Sequence, residues 1–272
     1  MILISIVSKG NSVYELFNIY SNDIKKMAKI RLYIPPQEIK ESIALDKRGP
    51  LHKLKNVLRL KKGQKIYIFD GNGKEWEYKI EKAKKKHIII NKIKKDRESA
   101  RIKPKLTLGF PLIQEKKIDF ILQKATELGV SEFIPYYSSR SRGGSRAAPT
   151  ISKIERWQKI IVEASRQSER LWLPRINQPL ALDQLIKKNT DLKIVGAPRE
   201  APLHEPPLPL LINTYKTKNI LCIVGPEGGF CKKEIDNFQK HNCRPINLSL
   251  NVLRTETAAI FLSGLIKYLT DK

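Results

Sequence analysis

Apolar positions recur at two different periods in the two halves of this chain. Between Lys65 and Ile93 they alternate with polar ones or form short runs, as in Lys65-Ile66-Tyr67-Ile68-Phe69, Trp76–Ile80 and His87–Ile93. A period of two over runs this short predicts strands. Asp70-Gly71-Asn72-Gly73 is a strong turn signal between the first two, and the cluster Lys84-Lys85-Lys86 separates the next pair. Met27–Ile34 also alternates, basic against apolar. Short strands joined by tight turns, with little helix between them, predict a small β-barrel.

The rhythm changes after Lys94–Lys105, a charged and weakly patterned stretch expected to be a linker. Leu106–Phe110 predicts a strand, and Ile118, Ile121, Leu122, Ala125 and Leu128 then recur at helical spacing up to Gly129. Phe133–Tyr137 predicts a strand, and Ile154, Trp157, Ile161 and Ala164 mark a second helix. Between them Ser138–Pro149 is a loop carrying Arg140, Arg142 and Arg146. Further strands are expected at Leu192–Gly196, Ile220–Val224 and Pro245–Leu248, and a last helix over about Glu256–Leu269. Strands alternating with helices predict an α/β fold with a mainly parallel sheet covered on both faces.

Charge changes the picture. The chain of 272 residues carries a formal charge of +25. Residues 25–103 hold 25 Lys/Arg against 9 Asp/Glu, so +16 of it falls in the strand-rich part. Such an excess points to a polyanion such as RNA, because Lys and Arg displace counterions from a phosphate backbone. A Lys-rich solvated surface is the plainer reading of the same residues. Cys222, Cys231 and Cys243 form no C-x-x-C pair, which argues for free thiols in a reducing cytoplasm and offers no metal-site spacing. No run approaches the length of a membrane span, so no membrane and no metal are expected. Residues 1–26 match no pattern, and Met27 reads as a second start, which makes that stretch an expected extension or an upstream start assigned in error.

Two loops carry the chemistry. Gly225-Pro226-Glu227-Gly228-Gly229-Phe230 follows an apolar strand, and Leu248-Ser249-Leu250-Asn251-Val252-Leu253-Arg254-Thr255-Glu256-Thr257-Ala258 leads into the last helix. Both sit past the carboxyl ends of strands, where open α/β sheets bind ligands. The first lacks the Lys-Ser/Thr of a phosphate loop and the G-x-G-x-x-G of a dinucleotide site. Its glycines suit a flat, weakly charged group held against bare backbone. In the second, Thr255 is expected to cap the helix and Glu256 to sit in its first turn. Capping leaves Asn251 and Arg254 unexplained.

Gly-Pro-Glu-Gly-Gly followed by Leu-Arg-Thr-Glu-Thr-Ala resembles the paired signature of RsmE-type methyltransferases in the SPOUT superfamily, which methylate N3 of a uridine in 16S ribosomal RNA. The resemblance runs from about Met27 to the C-terminus. His52-x-x-x-Val57-Leu58-Arg59 and Asp70–Gly73 look like the family's PUA-like barrel. Gln123–Val130, and Trp157–Ile160 with Glu163-Ala164 and Gln167-x-x-Arg170, look like its helices. Ser249-Leu250-Asn251-Val252 departs from the family pattern toward SPOUT ribose methyltransferases, and Arg166 stands where an acidic residue is usual.

The resemblance implies an extension over 1–26, a PUA-like β-barrel over 27–103 and a SPOUT domain with a C-terminal trefoil knot over 104–272. It implies S-adenosylmethionine as cofactor, the small ribosomal subunit as partner, and a homodimer that completes each site. Gly196, Ala197, Gly225, Pro226, Glu227, Gly228, Gly229, Leu248, Leu250, Asn251 and Leu253 would hold the cofactor. Arg254 is the candidate catalytic residue, and His52, Arg59, Arg140, Arg166 and Arg170 are candidates for RNA. A 2′-O-ribose methyltransferase and a catalytically inactive RNA-binding assembly factor are the alternatives.

Overall fold

The computed structural model describes residues 29–46, 60–83, 87–101, 104–141, 149–197, 208–215 and 218–271. His52, Arg59, Arg142, Arg146 and the expected extension over 1–26 lie outside them. The chain divides into two units. The smaller holds the residues up to Leu32, with Ile39–Ile68 and Glu75–Asp96; the larger holds Tyr33–Glu38, Phe69–Lys74 and Arg97–Lys272.

The strand-rich part forms a five-stranded sheet from β1 (Arg31–Tyr33), β2 (Ser42–Asp46), β3 (Lys65–Phe69), β4 (Lys74–Ala83) and β5 (His87–Glu98), in the order β1-β3-β4-β5-β2. The alternation in Lys65–Phe69 and His87–Ile90 puts Ile66, Ile68, Ile88 and Ile90 in its core with Tyr78 and Ile80. Asp70 makes the β3–β4 turn by accepting from the amides of Asn72 and Lys74 at 2.8 and 3.0 Å. Gly71 and Gly73 hold positive φ there, a conformation that glycine adopts without a side-chain clash. The hydrogen-bonded order runs from β1 to β2, with no pairing between those two edge strands among the described residues. One expectation changes. The charged stretch Lys94–Glu98, expected in the linker, continues β5. Ladder pairing, not burial, sets that strand's length.

The larger unit is a parallel sheet. Its strands are β6 (Leu106–Pro111), β7 (Glu132–Tyr137), β8 (Arg175–Ile176), β9 (Leu180–Ala181), β10 (Leu192–Ala197), β11 (Ile220–Val224) and β12 (Cys243–Asn247). They run in the order β12-β10-β11-β6-β7-β8, with β9 also on β7. All of β6 and β11 is buried, as expected of parallel strands covered on both faces. One face carries α1 (Glu115–Glu127), α2 (Ile151–Gln167), α4 (Leu208–Tyr215) and α6 (Thr255–Thr270), which bury Ile118, Trp157, Ile212 and Leu262 against Leu108 and Val224. The other carries α3 (Leu182–Ile186) and α5 (Lys232–Lys240), which bury Leu185 and Phe238 against Ile134 and Ile223. Gly129, at φ 97, ends α1.

This order places the site. The chain leaves β6 toward β7 on one side, and β11 joins β6 on the other. The loops after β10, β11 and β12 therefore gather at one end of the sheet, beside a switch in strand order.

Candidate cofactor cleft

A cleft of about 140 Å³ opens at the carboxyl ends of β10, β11 and β12. Of the residues proposed for the cofactor, Gly196, Gly225, Pro226, Glu227, Gly229, Leu248, Asn251 and Leu253 line it. Gly228, Leu250 and Arg254 do not, and Ala197 ends β10 opposite Asn247. Phe230, Asn247, Ser249, Val252, Thr255 and Ala258 also border the cleft, beyond the residues individually proposed to hold the cofactor.

The loop after β11 is held from several sides. Tyr136, fully buried in β7, donates its phenol to the carbonyl of Val224 at 2.7 Å. Burial pushes that hydroxyl's pKa well up, so it stays a donor. Thr255 donates to the next carbonyl, Gly225, at 2.9 Å. The amide of Gly229 closes a turn onto the Pro226 carbonyl at 2.9 Å, and Gly229 itself lies at φ 67. A side chain at Gly225 would start 3.0 Å from the ring of Phe230, which folds beneath the loop and meets Phe238 edge-on at 4.8 Å. At the tip, Glu227 pairs with Lys117 of α1 at 2.9 Å. That hydrogen bond raises the Lys117 ammonium above its usual range.

The loop after β7 presses on the same segment. The Nη1 of Arg140 points at the carbonyls of Gly228 and Phe230 at 3.5 and 3.4 Å. The Ser139 hydroxyl donates to Glu234 at 3.1 Å, and the amide of Cys231 donates to the same carboxylate at 2.8 Å, at the start of α5. A Cβ at Gly228 would lie 2.9 Å from the Arg140 carbonyl oxygen. Gly228 thus borders the Arg140 loop, not the cleft itself.

The loop after β12 is built otherwise. Asn247 accepts from the amide of Ser249, and Ser249 from the amide of Asn251, each at 3.1 Å. These local side-chain turns fold the strand exit onto itself. Leu248 covers the bare backbone of Gly196, where a Cβ would approach its Cδ1 to 3.1 Å. Beyond it Leu250 and Val252 are 80% and 91% exposed. The helix start differs from expectation: Arg254 is the N-cap residue and Thr255 the first helical one. The Thr255 hydroxyl bonds across to Gly225 and so cannot cap its own helix. Arg254 makes no side-chain capping bond and is exposed at the rim.

The remaining candidate arginines sit elsewhere. Arg166 bonds Glu163 one turn back on α2, at 2.9 and 2.6 Å. Arg170 turns inward, donating to the carbonyls of Thr126 and Val130 at 2.6 and 2.9 Å, and burial lowers its pKa to about 10. Its described bonds tie the end of α1 to the segment after α2. Among the described residues no group of three or more His, Cys, Asp or Glu is gathered as a metal site would require. No helix there is long and apolar enough to cross a membrane.

Comparison with known proteins gives this geometry a family. Residues 101–267 match the RNA methyltransferase domain, and residues 54–93 match the RNA methyltransferase PUA domain. Ribosomal RNA small subunit methyltransferase E of Rickettsia conorii is 31% identical over 232 residues, which is 85% of this chain and 91% of the relative. The protein of the same name from Synechocystis is 30% identical over 229 residues, 84% of this chain and 74% of the relative. The crystal structure of the Neisseria gonorrhoeae enzyme of that name, bound to S-adenosyl methionine, superimposes with a TM-score of 0.74 at 25% identity, covering 89% of this chain and 98% of that one. A parallel sheet with a glycine-walled cleft, both matching domains in order and near-complete coverage agree: the chain belongs to the ribosomal RNA small subunit methyltransferase E family of RNA methyltransferases.

Proposed function

We propose that this protein transfers a methyl group from S-adenosylmethionine to N3 of a uridine in the 16S RNA of the small ribosomal subunit. The observation that carries the reading is the cleft itself: three strand-exit loops bring Gly196, Gly225 and Gly229 together with apolar Leu248 and Leu253 in one lining. Those residues fit an adenosine, with backbone groups on the adenine edge and leucines on its face. When bound, S-adenosylmethionine supplies an already activated methyl on a sulfonium, so the protein's task is in-line positioning and handling of one proton. Tyr136 and Thr255 fix the two carbonyls where β11 leaves the sheet, so the loop is in place before the cofactor arrives. Arg254, exposed at the rim, holds the uracil and stabilises the negative charge that develops as N3 loses its proton.

The site in this reading is completed by a second copy of the chain, with the C-terminal segment forming a trefoil knot. Two features support the dimer. The cleft, at about 140 Å³, is below the ~300–1,000 Å³ usual for ligand sites. Leu250 and Val252 also stand bare at its edge. Of the arginines proposed for RNA, Arg140 stands beside the cleft loop, and the basic 27–103 region supplies non-specific affinity. Mass spectrometry of ribosomal RNA from a deletion strain, before and after complementation, tests the reading. A methyl restored to N3 of one uridine supports it. A methyl restored to a ribose 2′ oxygen instead identifies the ribose methyltransferase suggested by Ser249–Val252.

A further inference from the structure

A second and larger cleft, about 410 Å³, lies at the opposite end of α6 from the cofactor cleft, wholly within the larger unit. Trp172, Arg101, Arg170 and Lys267 border it, with Glu127 and Asp271. Its acids are already paired. Glu127 is bonded by Lys124 at 3.0 Å, and Asp271 by Lys267 at 2.5 Å. Arg101 is not: it is exposed, has no carboxylate partner among the described residues, and sits with its guanidinium 5.5 Å from the centre of the Trp172 ring. The indole is held in orientation, since its Nε1 donates to the Ser99 carbonyl at 3.1 Å. A fixed ring beside a free guanidinium plane is what unpaired bases stack on, while the guanidinium's unused donors match a phosphate.

We infer that this cleft is an auxiliary RNA site, which stacks an unpaired nucleotide against the Arg101–Trp172 pair and takes its phosphate on Arg101. The inference rests on the RNA-methylating function proposed above and adds a second point of contact to it. α6 has 16 residues, so its two ends are about 24 Å apart. One RNA strand can therefore present a target base at one end and a splayed base at the other. Binding there orients the substrate without touching the reacting atoms. A competing role for Trp172 is packing alone, since its ring also lies against Gly73.

The test is a fluorescence and filter-binding titration of the full chain with a single-stranded oligoribonucleotide taken from the methylated region, across a salt series. Wild type, Arg101→Glu and Trp172→Phe are compared; the last keeps a ring for packing. Wild type should show tryptophan quenching on binding, and Trp172→Phe should lose most of that quenching while affinity falls less than about fivefold. Arg101→Glu should weaken binding about tenfold or more and lower the salt slope by about one. S-adenosylmethionine affinity should be unchanged in both. Wild-type affinity, slope and quenching in both variants would overturn the site and leave Trp172 a packing residue, with the methyltransferase reading intact. Failure of the wild-type protein to bind the RNA at any salt would overturn both readings together.

Discussion

The two loops that meet at the cofactor cleft are built in opposite ways. The Gly225–Phe230 loop is anchored by groups from other elements: Tyr136 and Thr255 on consecutive carbonyls, Lys117 on its tip and Arg140 across its end. The Ser249–Arg254 loop is held chiefly by its own Asn247 and Ser249 turns and leaves Leu250 and Val252 in solvent. The first is a preformed frame. The second is an apolar lip without a cover in a single chain, and burying such side chains is worth roughly 1.5–3 kcal/mol each. Preorganisation thus sits on the side proposed to hold the cofactor, and incompleteness on the side where the proposed second copy would close the site.

Breaking each side of this contrast should have graded effects. Arg254 leaves the lip for the rim, and among the described residues no carboxylate pairs with it. Arg254→Ala is expected to cut methyl transfer by about two to four orders of magnitude, the scale of losing a charge-positioning group, with cofactor affinity nearly intact. Single-turnover transfer and a cofactor titration on one preparation separate the two quantities. Gly228→Val should weaken cofactor binding by about a hundredfold or more. The new side chain would meet the Arg140 carbonyl at 2.9 Å, a backbone atom that cannot swing away. A folded Gly228→Val protein with wild-type affinity would detach the Arg140 loop from the frame.

Thr255→Val removes the donor to Gly225 and leaves a part-buried carbonyl unpaired, at a cost of about 1–3 kcal/mol. Thermal unfolding should register that loss, and an unchanged Tm would show that water replaces the hydroxyl. Val252→Asp places a charge on the lip. Sedimentation should show self-association weakened by about tenfold, and an unaltered association constant would mean that the lip faces solvent in the assembly too. The smallest effect belongs to Lys117→Ala. Its pair with Glu227 is partly exposed, and such pairs contribute about 0–1 kcal/mol, so cofactor affinity should fall less than about fivefold.

How far the sequence foretold this arrangement depends on how far apart the partners are. Both loops were legible, because Gly, Pro and an unexplained Arg mark a strand exit locally. The alternating Lys65–Phe69 and the periodic Ile118–Ala125 were legible for the same reason, since each pattern is complete within one element. Tyr136 was not, because it reads as one more apolar strand residue and its acceptor lies 88 residues further on. Thr255 was read as a cap because local geometry allows it, whereas its hydroxyl bonds a carbonyl 30 residues back. Arg170 was read by its charge, yet two carbonyls at the end of α1 draw it inward. Patterns inside an element are visible in sequence, while hydroxyls and guanidiniums that choose partners across elements are not.

Calorimetric titration of the full chain with S-adenosylmethionine, at protein concentrations on both sides of self-association, tests the central claim most directly. The account predicts one cofactor bound per chain in the associated protein, with affinity falling steeply as the chains separate. Heat-silent titrations at every concentration would contradict the cofactor cleft. Equally tight binding by the separated chain would contradict the lip as an unfinished wall of the site.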